Sequence, residues 1–577
     1  MDDATCPSTD AINVADHLAH AARTRPLRRA VVCPAGRDRY GRVAYAHLTF
    51  GQLDSESDVV AHGLRESGID RGTRTILMVR PSIEFFVVVF ALFKLGAVPV
   101  VVDPGMGIRR LLACYRSTRP QAFIGIPLAH AVRVLFGKHF RSVRARITVG
   151  RRWFWGGPTL RQLRSRTLPP FEPARTRPDE PAAILFTTGC TGPAKGAVYT
   201  HGNFDAQLKQ IRDHLDFDAD EIDLSTFPLF ALFYPALGVT AVIPEMDPTR
   251  PARANPARIV EALENQGITN MFASPALLQR LGAYGRGKGL RLPSLKRVIC
   301  AGAPVPPRTL ELFSGLLPEG ARIETPYGAT EAVPITSITA EEILAETRPL
   351  TDQGFGICVG RPINGIPVRI IAVSDEPVAR WSEDLVLPQG EIGEIAVRGG
   401  LVSRQYFENA SADRLAKIPE GEDVWHRMGD LGWIDRKGRV WFCGRKSHRV
   451  TTSAGTLYTI PCESIFNRHP AVFRSALVGV GLPPHQVPVI CIEPAPGQRR
   501  RSRRKLKAEL LELAQGHELT RGIRVVLFRR SFPVDIRHNA KIFREQLAAW
   551  ARKKVGPGNL RRLRERERLD AEAAARP

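Results

Sequence analysis

Residues 74–102 constrain the fold more than any other part of the chain. Residues 74–79 read as a short strand, Ile83–Leu95 as a helix, and residues 98–102 as a second strand. Strand, helix and strand in this order predict parallel α/β units, because parallel strands need a crossover and a helix supplies it. The helical stretch is apolar on every side, with residues 85–93 reading FFVVVFALF. That run is about half the length needed to span a bilayer, and Lys94 follows at once. It is therefore predicted to be a buried helix. At 577 residues the chain is too long for one core, so two or more domains are expected.

Residues 186–201 form the second constraint. They hold Gly189, Gly192 and Gly196, with Thr187, Thr188 and Thr191 ahead of Lys195. Glycines let a backbone approach an anion closely, inward N–H groups can bind it, and hydroxyls and a lysine add donors. This is chemistry suited to phosphate. The loop is not the GxxxxGK nucleotide motif, because Gly196 follows Lys195 where Ser or Thr would be required. On these residues alone a flexible glycine connection remains the alternative.

The net charge of +24 raises nucleic-acid binding as a function class. Its clearest sources are residues 499–505 and the tail 552–568. The tail also carries Glu565 and Glu567, which predicts a solvated charged helix. No zinc-finger spacing, RNP pattern or interleaved aromatics accompany either run, so no nucleic-acid partner is expected. A basic surface, docking to an acidic protein or peripheral contact with a membrane, fits better. The nine cysteines are scattered without CxxC pairs, as expected of reduced thiols that serve as small core residues. Met1-Asp2-Asp3 is the wrong charge for a secretory start, and a cytoplasmic location is expected.

Five segments in order carry a family resemblance. Residues 187–196 resemble the TSGSTGxPKG loop of the adenylate-forming superfamily (acyl-CoA synthetases, luciferases and peptide-synthetase adenylation domains). They depart from it at Thr188, Cys190 and Ala194. Residues 297–304 are similar to that superfamily's adenine-side segment, ending in Gly302, Ala303 and Pro304. Residues 324–331 resemble its YGxTE motif, through Tyr327, Gly328, Thr330 and Glu331. Residues 425–432 resemble its TGD motif, with Asp430 as the carboxylate. Residues 441–446 match the junction of its large and small domains, with Arg445. Lys541 then stands where the superfamily has a late catalytic lysine, although Ala540 replaces the usual glycine.

The resemblance implies roles. Thr187, Thr188, Gly189, Thr191, Gly192 and Lys195 would hold the phosphates of ATP. Tyr327 would stack on the purine and Thr330 would reach a phosphate. Glu331 would bind Mg²⁺ as a hard-oxygen ligand. Asp430 would take the ribose hydroxyls, Arg445 the ribose or a phosphate, and Lys541 would stabilise the displacement. Residues 227–238 read from their pattern as a core helix. The resemblance adds a role as acyl-pocket wall through Phe230, Ala231 and Phe233, with Ala231 replacing the histidine of a PLFH-like motif.

Residues 228–233, 246–251, 455–463 and 534–541 are similar to the olefin β-lactone synthetases of bacterial long-chain hydrocarbon biosynthesis. That family implies ATP-dependent closure of a long-chain 2-alkyl-3-hydroxyalkanoic acid to a β-lactone through an acyl-AMP, releasing AMP and pyrophosphate. ATP and Mg²⁺ are implied; CoA is not. The pathway's thiolase, reductase and β-lactone decarboxylase are implied partners. A long-chain acyl-CoA synthetase, an acyl-AMP ligase and a non-catalytic basic binding protein on the same fold remain alternatives. His448 and His538 are candidate bases for the 3-hydroxyl. The implied fold is α/β: a large domain, 1–443, with parallel sheets, flanking helices and a small β-barrel around residues 390–398, then a smaller mobile α+β domain, 444–577. Residues 169–181, rich in Pro and Arg, are expected to be a connector outside the core.

Overall fold

The computed structural model describes residues 11–187, 194–218, 220–498, 502–534, 542–563 and 565, with Thr187 and Leu229 by backbone only. Residues 74–102 form the predicted unit: strand Arg74–Met78, helix Ile83–Leu95 and strand Val98–Val101. The strands pair in parallel, with Ile76 opposite Val100. Every residue from Phe85 to Leu95 is buried, as an all-round apolar helix requires. Lys94 is buried with them because Asp54 and Asp58, on helix Phe50–Glu66, take its ammonium group.

This unit belongs to the first sheet. Its strands run in the order Ala145–Thr148, Ala122–Gly125, Arg74–Met78, Val98–Val101, Pro181–Thr187, Lys195–Thr200. All pairs are parallel except the last, a hairpin closed by the glycine loop. Side chains alternate across this sheet. Leu77, Ile124, Ala183 and Tyr199 join one core, whereas Ile76, Phe123, Val100 and Ile184 join another on the opposite face.

The second sheet has seven strands, ordered Arg322–Glu324, Arg297–Cys300, Asn270–Ala273, Ile222–Ser225, Thr240–Val242, Arg29–Arg37, Val43–Thr49. It too is parallel apart from its last pair. The barrel expected around residues 390–398 is an eight-stranded antiparallel sheet, and Gly393–Val397 lies between Val368–Ile371 and Asp423–Ile434. The smaller C-terminal domain contains the sheet Val472–Val480, Val487–Pro494, Val525–Phe528, covered by helices Thr459–Asn467, Arg503–Gln515 and Arg544–Val555.

Three expectations need correction. Residues 169–180 are irregular, yet Phe171 and Thr176 are buried, and the Thr176 hydroxyl donates to the Ile12 carbonyl. This connector therefore contributes to the core. Residues 227–238 form two short helices, Pro228–Ala231 and Phe233–Ala236, in place of one. In the tail, residues 557–563 are helical, but Leu560 and Leu563 pack on the small domain's core, so that segment is not wholly solvated.

Candidate active site

Ligands of open parallel sheets bind beyond the carboxyl ends of the strands. Both parallel sheets direct such ends to one region, which the hairpin Tyr327–Ala329 and Ala332–Ser337 borders. Thr330 and Glu331 form the tip of that hairpin. Gly328 is required there: a Cβ would lie 2.6 Å from the Ala332 carbonyl oxygen. Tyr199, on the exit strand of the glycine loop, donates its hydroxyl to the Thr330 carbonyl at 2.5 Å and fixes the tip.

A charged cluster is built around Glu331. Tyr406 donates its hydroxyl to Glu331 Oε1 at 2.8 Å, and Ser403 N–H donates to the Glu331 carbonyl at 2.8 Å. Tyr406 is placed by backbone pairing: Val198 N–H donates to the Gln405 carbonyl, and Phe407 N–H to that of Gly196. Two ammonium groups face its ring, Lys195 Nζ at 5.0 Å and Lys417 Nζ at 5.5 Å from the centroid. Lys417 is buried and donates to the Ser403 carbonyl. Burial lowers its pKa to about 8, against the attraction of Glu331 and Asp413. Neither Tyr406 nor Lys417 is apparent from the sequence, because no motif surrounds them: Tyr406 lies in a loop and Lys417 opens the short strand Lys417–Glu420.

A second cluster joins two of the sequence motifs. Tyr327 donates its hydroxyl to Asp430 Oδ2 at 2.6 Å, and Arg445 Nε lies 3.1 Å from Asp430 Oδ1. Asp430 and Arg445 are direct partners across strands Asp423–Ile434 and Val440–Arg445. Gly429, with φ +65°, supplies the left-handed residue beside Asp430. Asp430 is buried while the Arg445 side chain is 40% exposed, so the guanidinium can reach a ligand. Gly302, Ala303 and Pro304 follow strand Arg297–Cys300 at the carboxyl edge of the second sheet.

An apolar cavity of about 1030 Å³ reaches Thr330. This is at the upper end for small-molecule sites. Phe230 and Phe233 line it, and Phe230 stacks on Phe272 at 4.7 Å. Ala231 is a correction: it is fully buried in the core and is not a lining residue. The sequence reading missed the larger wall, in which Phe85, Val89 and Phe93 of helix Ile83–Leu95 face the cavity at four-residue spacing. An all-apolar helix with one stripe on a hydrocarbon cavity looks the same in sequence as one wholly in the core.

His448 does not line the cavity. It is buried against Glu545, Nε2 to Oε1 3.1 Å, and burial pushes its pKa down. Thr188, Gly189, Thr191, Gly192, His538 and Lys541 lie outside the described residues. Thr187 pairs with Lys195 through the backbone. Among the described residues no group of three acidic, histidine or cysteine side chains could hold a metal. Glu331 offers one carboxylate, which fits a Mg²⁺ ion held mainly by phosphates and water. The Lys195 ammonium group fits the phosphates themselves, whereas that of Lys417 is buried on Ser403. The seven described cysteines are free and buried, and no described helix is long and apolar enough to cross a membrane.

Comparison with known proteins defines the class. Residues 18–407 match the family model of AMP-binding enzymes. The chain belongs to this adenylate-forming family and, within it, to the olefin β-lactone synthetases. It is 48% identical over 550 residues to the olefin beta-lactone synthetase of Xanthomonas campestris pv. campestris, covering 94% of this chain and 98% of that one. It is 47% identical to the enzyme of the same name from Stenotrophomonas maltophilia, covering 93% and 98%. The amide bond synthetase McbA of Marinactinospora thermotolerans shares the fold, with a TM-score of 0.75 at 22% identity, covering 93% of this chain and 99% of that one. The protein is thus an ATP-dependent, AMP-forming ligase.

Proposed function

We propose that the protein converts a long-chain 2-alkyl-3-hydroxyalkanoic acid to its β-lactone with ATP, by way of an acyl-AMP. The observation that carries this reading is the meeting of an apolar cavity with the hairpin tip, where Thr330 lines the cavity and Glu331 anchors the charged cluster. A hydrocarbon tail and a polyphosphate can therefore occupy adjoining spaces. The near-full-length likeness to two olefin beta-lactone synthetases supports the choice of acid.

A carboxylate is a poor electrophile, and oxide is a poor leaving group. In the first step a carboxylate oxygen of the acid attacks the α-phosphorus of ATP and pyrophosphate leaves. Lys195 and the late Lys541 offset the negative charge of the phosphates, and the buried Lys417 supports Glu331 through Ser403. Mg²⁺, next to Glu331, would supply further neutralisation of that charge. Asp430 and Arg445 orient the ribose, with Tyr327 holding the aspartate. In the second step the 3-hydroxyl oxygen attacks the acyl carbonyl, its proton passes to a base, and AMP leaves. Because the nucleophile belongs to the same molecule, orientation in the cavity helps the closure of a strained four-membered ring. His448 does not line the cavity and so is not placed to act as that base.

The test is mass spectrometry of products from protein, ATP, Mg²⁺ and such an acid, with and without CoA. The expected product is the acid less one water, formed with AMP in the absence of CoA. An acyl-CoA formed only with CoA present would overturn this reading in favour of an acyl-CoA synthetase.

A further inference from the structure

The cavity is not confined to one side of the first sheet. Phe85, Val89, Phe93, Phe204, Leu208 and Phe233 line it from the core on one face. Val102, Leu111, Tyr115, Ile126, Ala129 and Val132 line it from the core on the other. Strand alternation separates these two groups: Leu77 points to the first core and Met78 to the second, and both touch the cavity. The space therefore passes around the carboxyl ends of strands Arg74–Met78 and Val98–Val101. On the far side it lies between helices Ile108–Ser117 and Pro127–Leu135.

We infer that this second lobe holds one of two hydrocarbon chains of the substrate, the other lying along helix Ile83–Leu95. The inference rests on the proposed function and specifies how its substrate is recognised. A single straight chain has no use for two apolar lobes on opposite faces of a sheet. An acid branched at C2 has two chains that must diverge from one carboxyl group. With the carboxyl at Thr330, the strand ends form the wedge between the chains. Val102, Leu111, Ile126, Ala129 and Val132 on this face carry no polar side-chain group, so the lobe's selectivity is for hydrocarbon length.

Val132 is the residue to change, because it lines the far lobe and is only partly buried, so a larger side chain there spares the fold. Binding of two probes is measured calorimetrically on the full chain: a saturated 2-alkyl fatty acid and the straight acid with the same main chain. Wild type should bind the branched acid about tenfold or more tightly, since each added buried methylene contributes. Val132→Trp should remove that preference and leave the straight acid unaffected, which also shows that the variant is folded. Equal affinity of wild type for the two acids would overturn the inference, as would an equal loss of both in the variant. Neither binding result depends on lactone formation. Failure of the product test with intact branched-acid preference would sink the proposed reaction and leave the two-chain site standing.

Discussion

Replacing Lys417 by methionine should make the protein more stable and less active. The ammonium group is buried, and its pKa falls from 10.5 to about 8. At neutral pH that displacement corresponds to about 3 kcal/mol of unfavourable free energy for carrying the charge in the fold. Methionine has a similar unbranched shape and no charge. Loss of the bond to the Ser403 carbonyl offsets about 1–2 kcal/mol of the gain. The expected net effect at pH 7 is about 1–2 kcal/mol in favour of Lys417→Met. The sign with pH follows from a lowered pKa. Below about 8 both folded and unfolded lysines are charged and the penalty is full; between about 8 and 10.5 the folded protein sheds its proton first. The wild type should therefore gain on the variant as pH rises through that window. Urea midpoints at pH 7 and at pH 9.5, at one ionic strength, measure both effects. ATP-dependent AMP release should fall about tenfold or more, because Lys417 holds Ser403, whose N–H fixes the Glu331 carbonyl at the hairpin tip. A variant less stable at pH 7, with a gap that does not change with pH, would refute the desolvation argument.

Two further outcomes follow from the same geometry. Glu394→Gln should cost about 3–5 kcal/mol, since Glu394 is the buried partner of both Arg427 and Lys446, and thermal unfolding reads the loss. Asp430→Asn should raise KM for ATP about tenfold or more by removing a charged acceptor held by Tyr327 and Arg445, with little change in melting temperature; an unchanged KM would remove Asp430 from the nucleotide site.

Local order made the parallel α/β unit legible: the helix over Ile83–Leu95 has the bounds read from the sequence, because a continuous apolar run between two short strands is a local signal. Motif residues such as Tyr327, Asp430 and Arg445 were visible one at a time. The contact of Tyr327 with Asp430 was not, since it joins residues 103 apart through the order of the antiparallel sheet. Tyr406 and Lys417 were invisible for a related reason. Tyr406 is set by pairing of residues 196–198 with 405–407 and Lys417 by its bond to Ser403, which itself bonds Glu331, and no local pattern announces either. Ala231 shows the converse error. Adjacent residues on a helix point in different directions, so being between Phe230 and Phe233 in sequence does not put it on their surface.

Helix Ile83–Leu95 gives the enzyme one surface with two duties, since neighbouring side chains on it face protein and cavity. On the proposed function, a bound alkyl chain would pack against Val89 and Phe93 much as a neighbouring leucine does. In packing terms the substrate is a removable piece of the protein's interior. Occupancy then strengthens the whole fold by mass action, and a shift in chain-length preference made on this helix carries a shift in melting temperature with it.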